Sequence, residues 1–197
     1  GRRRNHLSAL CAELKGAGAA LAELVVTGEP DTAAVEQGLA LARAAECDHV
    51  IAVGGGSVLD TGKAIAALLR QPGGLFDHLE VIGRAQPLVV PAAPLVAVPT
   101  TAGTGAEATC NAVIASPAHR VKVSLRHRSL FPAVAIIDPE LTLALPPPET
   151  AASGLDALTQ LIEPFVSNAA QPLTDALCRD GLMRAGRSLV SACHHGD

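Results

Sequence analysis

Three stretches of the chain carry residue types whose spacing could do chemistry. The first is Gly54-Gly55-Gly56-Ser57, which follows the apolar run Val50-Ile51-Ala52-Val53 and precedes Val58-Leu59-Asp60-Thr61-Gly62-Lys63. Glycines let a backbone come close to a ligand, and the free N–H groups of a first helical turn attract an anion. Ser57 can cap that helix or offer its hydroxyl to a phosphate. The stretch is not a GxxxxGK[ST] loop, because Ala64 follows Lys63 where Ser or Thr is needed. It meets GxGxxG only as Gly54-x-Gly56, with Asp60 near the third glycine position. A tight strand–helix turn without a ligand is the competing reading. Lys63 either packs at the edge of such a site or stands in solvent. The second stretch, Pro99 to Thr109, holds Thr100, Thr101, Thr104, Thr109, Gly103, Gly105 and Glu107, and no large side chain. Hydroxyls and backbone donors of this kind can wrap a polar ligand; equally, Thr104 and Glu107 fit a capping box. In the third, Asp156, Gln160 and Glu163 fall at i, i+4 and i+7 of a helical pattern, on one face. A carboxylate and an amide on one face can contact a metal or a polyol. An Asp in a first helical turn also complements the helix dipole without any ligand. No Ser/His/Asp or Cys/His triad is suggested, so no protein nucleophile is expected.

These residues need elements to hold them. Leu7, Leu10, Cys11 and Leu14 predict a helix over 3–15, and Leu21 to Thr27 predicts a short strand. Asp31 is placed to cap a helix running to about Glu46. Val50 to Val53 reads as a strand buried on both faces, and a helix from Ser57 to about Arg70 follows. That order implies parallel strands with right-handed crossovers. After a loop-rich stretch from Gln71 to Pro94, strands are predicted at 95–98 and 133–137, with a hairpin pair at 111–115 and 121–125. Pro146-Pro147-Pro148 mark a junction, since proline cannot continue a helix or a ladder. Beyond it only helical patterns remain, Glu149 to Val166 and Pro172 to about Val190, before a tail ending Cys193-His194-His195-Gly196-Asp197. The fold class is therefore α/β: a Rossmann-like parallel-sheet domain over 1–146, then the first helices of an all-helical domain over 147–197. Ligand loops at the C-terminal ends of parallel strands are what an open α/β sheet uses at its crevice.

Composition narrows the function. With 197 residues, 49% apolar and 17% charged, the chain is globular rather than disordered. A net charge of -4 leaves no basic excess to neutralise phosphates, which argues against a general nucleic-acid binder. No apolar run approaches the roughly 18–20 residues of a membrane span. The basic start Arg2-Arg3-Arg4 is followed by no apolar signal region. The five cysteines are widely spaced without a CxxC, and read as reduced, mostly buried apolar residues of a cytoplasmic protein. So high an apolar share with 18 Gly and 14 Pro fits part of a larger enzyme.

Taken together, the stretches resemble the iron-containing alcohol dehydrogenase family, of the dehydroquinate-synthase-like fold. The resemblance is carried by GGGSVLDTGKAIA (Gly54 to Ala66), PTTAGTGAE (Pro99 to Glu107), Lys122 before Pro132, IIDPEL (Ile136 to Leu141) and LPPPETAASGLDALTQLIEPFVS (Leu145 to Ser167). It implies an NAD(P)-binding α/β domain and a helical domain holding Fe2+ or Zn2+, with hydride transfer between a small alcohol or aldehyde and nicotinamide. Residue by residue, Gly55, Gly56 and Ser57 match the pyrophosphate turn. Asp60 matches a position near the nicotinamide ribose, Thr100 and Thr101 match cofactor-contacting threonines, and Lys122 matches a lysine near the ribose. Glu29 stands loosely where the family has a segment near the adenosine. Asp156 matches the first metal ligand, but Gln160 stands where the family has a histidine, and imidazole suits divalent iron or zinc better than an amide oxygen. His194 and His195 come too soon to match the two remaining ligands. By this resemblance the chain looks like an internal piece, without the first strand and most of the helical domain. A metal-free relative of the maleylacetate-reductase kind and a catalytically incomplete nucleotide-binding fragment stay open beside the metal-assisted dehydrogenase. A homodimer is the assembly considered.

Overall fold

The computed structural model describes residues 2–195, with side chains from 7 to 194. Helix α1 spans Arg2–Gly16. The strand predicted at 21–27 does not form: these residues run in extended coil, and none of them joins a ladder among the described residues. A β-rich stretch becomes a strand only when a neighbour takes its backbone groups. Asp31 caps α2 (Thr32–Ala44), its carboxylate accepting from the Ala34 N–H at 2.7 Å. Strand β1 (Val50–Gly54) turns directly into α3 (Gly56–Leu68). A short α4 (Leu75–His78) interrupts the loop-rich stretch before β2 (Leu95–Pro99). The hairpin β3 (Asn111–Ser116) and β4 (Val121–Arg126) and the two-residue β5 (Val134–Ala135) follow. The last helices are α5 (Pro147–Phe165) and α6 (Pro172–His195).

The chain forms two compact units: residues 1–99 with 106–137, and residues 100–105 with 138–197. In the first, a parallel sheet has the order β1-β2-β5, and the hairpin stands as a separate antiparallel pair. Val50 pairs with Leu95 and Gly54 with Pro99, so β1 and β2 end level. Strand β1 was expected to be buried on both faces. Only Ala52 is, and Ile51 is 43% exposed, because β1 lies at the edge of the described sheet and only β2 flanks it.

Helix α3 is the centre of this unit. Every residue from Leu59 to Leu68 except Asp60 is buried. On one side Ala64, Ala67 and Leu68 meet Val35 and Leu39 of α2 and Ala112, Ile114, Val123 and Leu125 of the hairpin. On the other, Leu59 and Ala66 meet Ala52, Leu95 and Ala97 of the sheet. The loop-rich stretch is held by polar side chains, the buried Gln71 and the exposed Arg43, in place of a ladder. The Gln71 carbonyl accepts from Val89 and Val90 N–H groups while its amide donates to the Val90 carbonyl. Arg43 donates to the carbonyls of Leu68, Gln71 and Gly73.

In the second unit, α5 and α6 pack on each other, with the Arg179 guanidinium over the Phe165 ring at 5.5 Å. The three prolines open α5 rather than stand apart from it. Pro146 is its N-cap and Pro147 and Pro148 begin its first turn, where the missing N–H is not needed. Helix α6 runs on to His195, so residues 191–195 of the tail expected after Val190 are helical, and Gly196 and Asp197 lie outside the described residues. Leu155, Ile162, Leu173, Leu177, Met183 and Val190 are exposed. The cysteines are all free, but only Cys178 is buried; the others lie at partly covered margins of their elements, against the expectation of mostly buried thiols. Among the described residues no helix is long and apolar enough to cross a membrane.

The contact of α3 with β1 depends on Gly62, where an added Cβ would stand 2.8 Å from the Ala52 Cβ. Helix propensity alone favours Ala over Gly by about 1 kcal/mol, whereas overpacking a tight contact costs about 1–3 kcal/mol. Gly62→Ala is expected to lower the urea midpoint; a raised midpoint would show that propensity outweighs the close approach.

Candidate functional site

The turn from β1 into α3 is a helix N-terminus placed at the end of a parallel strand. Gly55 is the N-cap of α3, and no side chain caps the turn. Its carbonyl accepts from the Val58 and Leu59 N–H groups at 3.0 and 3.1 Å. The N–H groups of Gly56 and Ser57 precede these first helical bonds, as at any helix N-terminus, and carry the positive end of the dipole. Ser57 therefore sits inside the first turn and is not its cap, which removes one of the two roles open to it. The Ser57 carbonyl accepts from the Thr61 hydroxyl at 2.8 Å, which fixes this turn to the next.

One turn further on, two charged residues point inward. Lys63 is fully buried, so the solvated reading of it does not hold. Its Nζ donates to Thr109 Oγ1 at 2.7 Å and to the Asn111 carbonyl at 3.1 Å, and lies 3.6 Å from Asp60 Oδ1. Asp60 Oδ2 accepts from the Val113 N–H at 3.0 Å. Burial pushes the Asp60 carboxyl up, opposed by the Val113 N–H and by Lys63. Burial pushes the Lys63 ammonium down, opposed chiefly by Asp60. Asp60, matched by resemblance to a position near the nicotinamide ribose, is thus engaged with the hairpin. Sequence reasoning missed Thr109 and Asn111 as partners. The available signal was a lysine inside the otherwise small and apolar run Gly62 to Leu68.

The hydroxyl-rich stretch leaves β2 at Pro99, and its first part, residues 100–105, belongs to the helical unit. Thr100 and Thr101 lie in a bend there. Gly103 lies hard against α5: an added Cβ would come within 2.3 Å of the Ser153 carbonyl oxygen. Glu107 sits in a single 3-10 turn, Ala106–Ala108, rather than in the first turn of an α-helix. Lys122, on the hairpin, pairs with Glu29 at 2.7 Å, bringing together two residues far apart in sequence. Both side chains are more than half exposed, so the pair adds little stability.

Asp156 and Gln160 lie on adjacent turns of α5. The Gln160 amide donates to the Gly103 carbonyl at 3.1 Å, and only the NH2 end of an amide can face a carbonyl. Its oxygen lies toward Gly105. Among the described residues no three His, Cys, Asp or Glu side chains gather closely enough to hold a metal ion. Divalent iron or zinc takes three or four protein donors in such enzymes. Asp156 and Gln160 can supply two of those donors, and the Gln160 oxygen, the atom that would face a metal, is not the atom bonded to Gly103.

Comparison with known proteins bears on the whole arrangement. The family model for iron-containing alcohol dehydrogenase matches residues 2–139. A 4-hydroxybutyrate dehydrogenase of Cupriavidus necator is 41% identical over 167 residues, which are 85% of this chain and 44% of that protein. An NAD-dependent methanol dehydrogenase of Bacillus methanolicus is 37% identical over 169 residues, 86% of this chain and 43% of that one. The crystal structure of sulfoacetaldehyde reductase from Bifidobacterium kashiwanohense in complex with NAD+ superposes with a TM-score of 0.80 at 35% identity, covering 86% of this chain and 44% of that one. The chain thus spans less than half the length of these relatives. The match runs through the glycine turn, the hydroxyl-rich stretch and Lys122 alike, and the chain belongs to the iron-containing alcohol dehydrogenase family.

Proposed function

We propose that this chain supplies the nucleotide-binding part of an NAD(P)-dependent oxidoreductase that passes a hydride between a small alcohol, or the matching aldehyde, and nicotinamide. The observation that carries the reading is the uncapped glycine turn at the N-terminus of α3, at the C-terminal end of a parallel strand. The backbone N–H groups of Gly55, Gly56 and Ser57 hold the pyrophosphate, with the Ser57 hydroxyl as a further donor. Thr100 and Thr101 offer hydroxyls to the cofactor, and Lys122 offers its ammonium to a ribose. The nicotinamide, when bound, supplies the hydride chemistry; the chain's own residues bind, orient and exclude water. The sulfoacetaldehyde reductase that resembles this chain was solved with NAD+, which supports NAD as the nucleotide. Relatives named for 4-hydroxybutyrate and for methanol support small alcohols as a class.

Metal assistance is the finer point. Asp156 and Gln160 are the two residues that would donate to Fe2+ or Zn2+. An amide oxygen where imidazole would suit divalent iron or zinc better supports the metal-free reading for this chain's residues. The test is titration of the purified chain with Zn2+. Binding of one equivalent below about 1 μM would overturn the metal-free reading; no stoichiometric binding is expected.

The nucleotide reading is tested at Ser57. Ser57→Glu places a carboxylate where the phosphates would lie, and like charges at close range repel. The dissociation constant for NAD+, measured by calorimetry, is expected to rise at least about tenfold. An unchanged constant would remove the pyrophosphate from this turn.

A further inference from the structure

We propose that Lys63 is a positioning residue: its buried ammonium locks α3 to the start of β3 and so sets where the Gly56 and Ser57 N–H groups stand. This rests on the nucleotide-binding reading of the glycine turn.

Stability does not account for a lysine at this place. Among the described residues it is the one lysine or arginine that is fully buried. Burying a charge is costly even when it is paired, and replacing a buried pair with apolar residues is often neutral or stabilising. What the lysine adds is direction. Its ammonium donates to Thr109 Oγ1, and that hydroxyl donates onward to the Ala106 carbonyl at 3.3 Å. A second bond reaches the Asn111 carbonyl, at the first residue of β3. Asp60, one turn earlier on α3, takes the Val113 N–H of the same strand. Two successive turns of α3 are therefore bonded to fixed points on one strand and on the turn before it.

Leu59 and Leu68 anchor α3 in the two core clusters, but the helix surface between them sets the register less sharply. Gly62, Ala64, Ala66 and Ala67 make much of it smooth, and small side chains leave few knobs to stop a helix sliding along its axis. Hydrogen bonds of 2.7–3.1 Å do stop it, because they weaken steeply once stretched or bent. The Thr61 hydroxyl bond to the Ser57 carbonyl carries this constraint back to the first turn. A slide of α3 by a fraction of its rise per residue would move the phosphate-facing N–H groups off their hydrogen-bonding distance.

The experiment is calorimetric titration of NAD+ into the 197-residue chain and its variants, with thermal unfolding of each. Lys63→Met is expected to weaken NAD+ binding by about tenfold or more, and Thr109→Val by about threefold. Thr109→Ser keeps the hydroxyl and is expected to stay within about twofold of wild type. Leu68→Ala, a core truncation on the same helix, is expected to lower Tm at least as far as Lys63→Met yet leave affinity within about twofold. That contrast separates positioning from general destabilisation. Wild-type affinity in Lys63→Met overturns the proposal, as does equal loss of affinity in Leu68→Ala. If Lys63→Met does not fold, the Thr109 pair decides: equal affinities for Val and Ser overturn it. If the wild-type chain binds no NAD+, the nucleotide reading falls and this inference with it, whereas wild-type binding with unaltered variants overturns the role of Lys63 alone.

Discussion

The constraint on which the first unit depends is that α3 must be covered on both sides. It lies between the parallel sheet and the layer made by α2 and the β3–β4 hairpin, and nearly all its side chains from Leu59 onward are buried. A helix in that position cannot be amphipathic in the ordinary way. Its faces must be slim enough for sheet and hairpin to approach together, which is why Gly62, Ala64, Ala66 and Ala67 occupy its middle. The same burial holds the helix whose first turn follows directly on β1. The geometry of the glycine turn is thus only as good as the clamp on α3.

Much of this was legible from residue types alone. Asp31 announced the start of α2, and it caps that helix. The runs at 95–98 and 111–125 announced β2 and the hairpin, because apolar alternation and turn residues act locally. The glycine turn was legible for the same reason. What failed depended on neighbours. Residues 21–27 have strand composition but no ladder partner, and Ile51 was assigned to the interior although its strand has a neighbour on one side only. The prolines at 146–148 were read for what they forbid, whereas position decides: at a helix start proline forbids nothing.

The site shows the same division. Gly55, Gly56 and Ser57 are contiguous, so the turn they form at the start of α3 could be seen in the sequence. Lys63 meets Thr109 and Asn111 across more than forty residues, and no local pattern predicts that contact. Asp60 was assigned to the ribose by resemblance, and its Oδ2 accepts from the Val113 N–H of β3, a contact no local pattern predicts. Gln160 was read as a weak substitute for a histidine ligand, and in the structure its NH2 also donates to the Gly103 carbonyl of the hydroxyl-rich stretch. In both cases a polar side chain matched to a ligand contact also holds a piece of backbone.

The central claim is that the first turn of α3 receives the pyrophosphate of a nicotinamide dinucleotide. Backbone amide NMR of the chain during titration with NAD+ addresses it at the atoms concerned. The account predicts that the amide resonances of Gly55, Gly56 and Ser57 move most, with smaller shifts at Ala67 and Leu68 at the far end of the same helix. Saturable binding that leaves those three amides unmoved would contradict it.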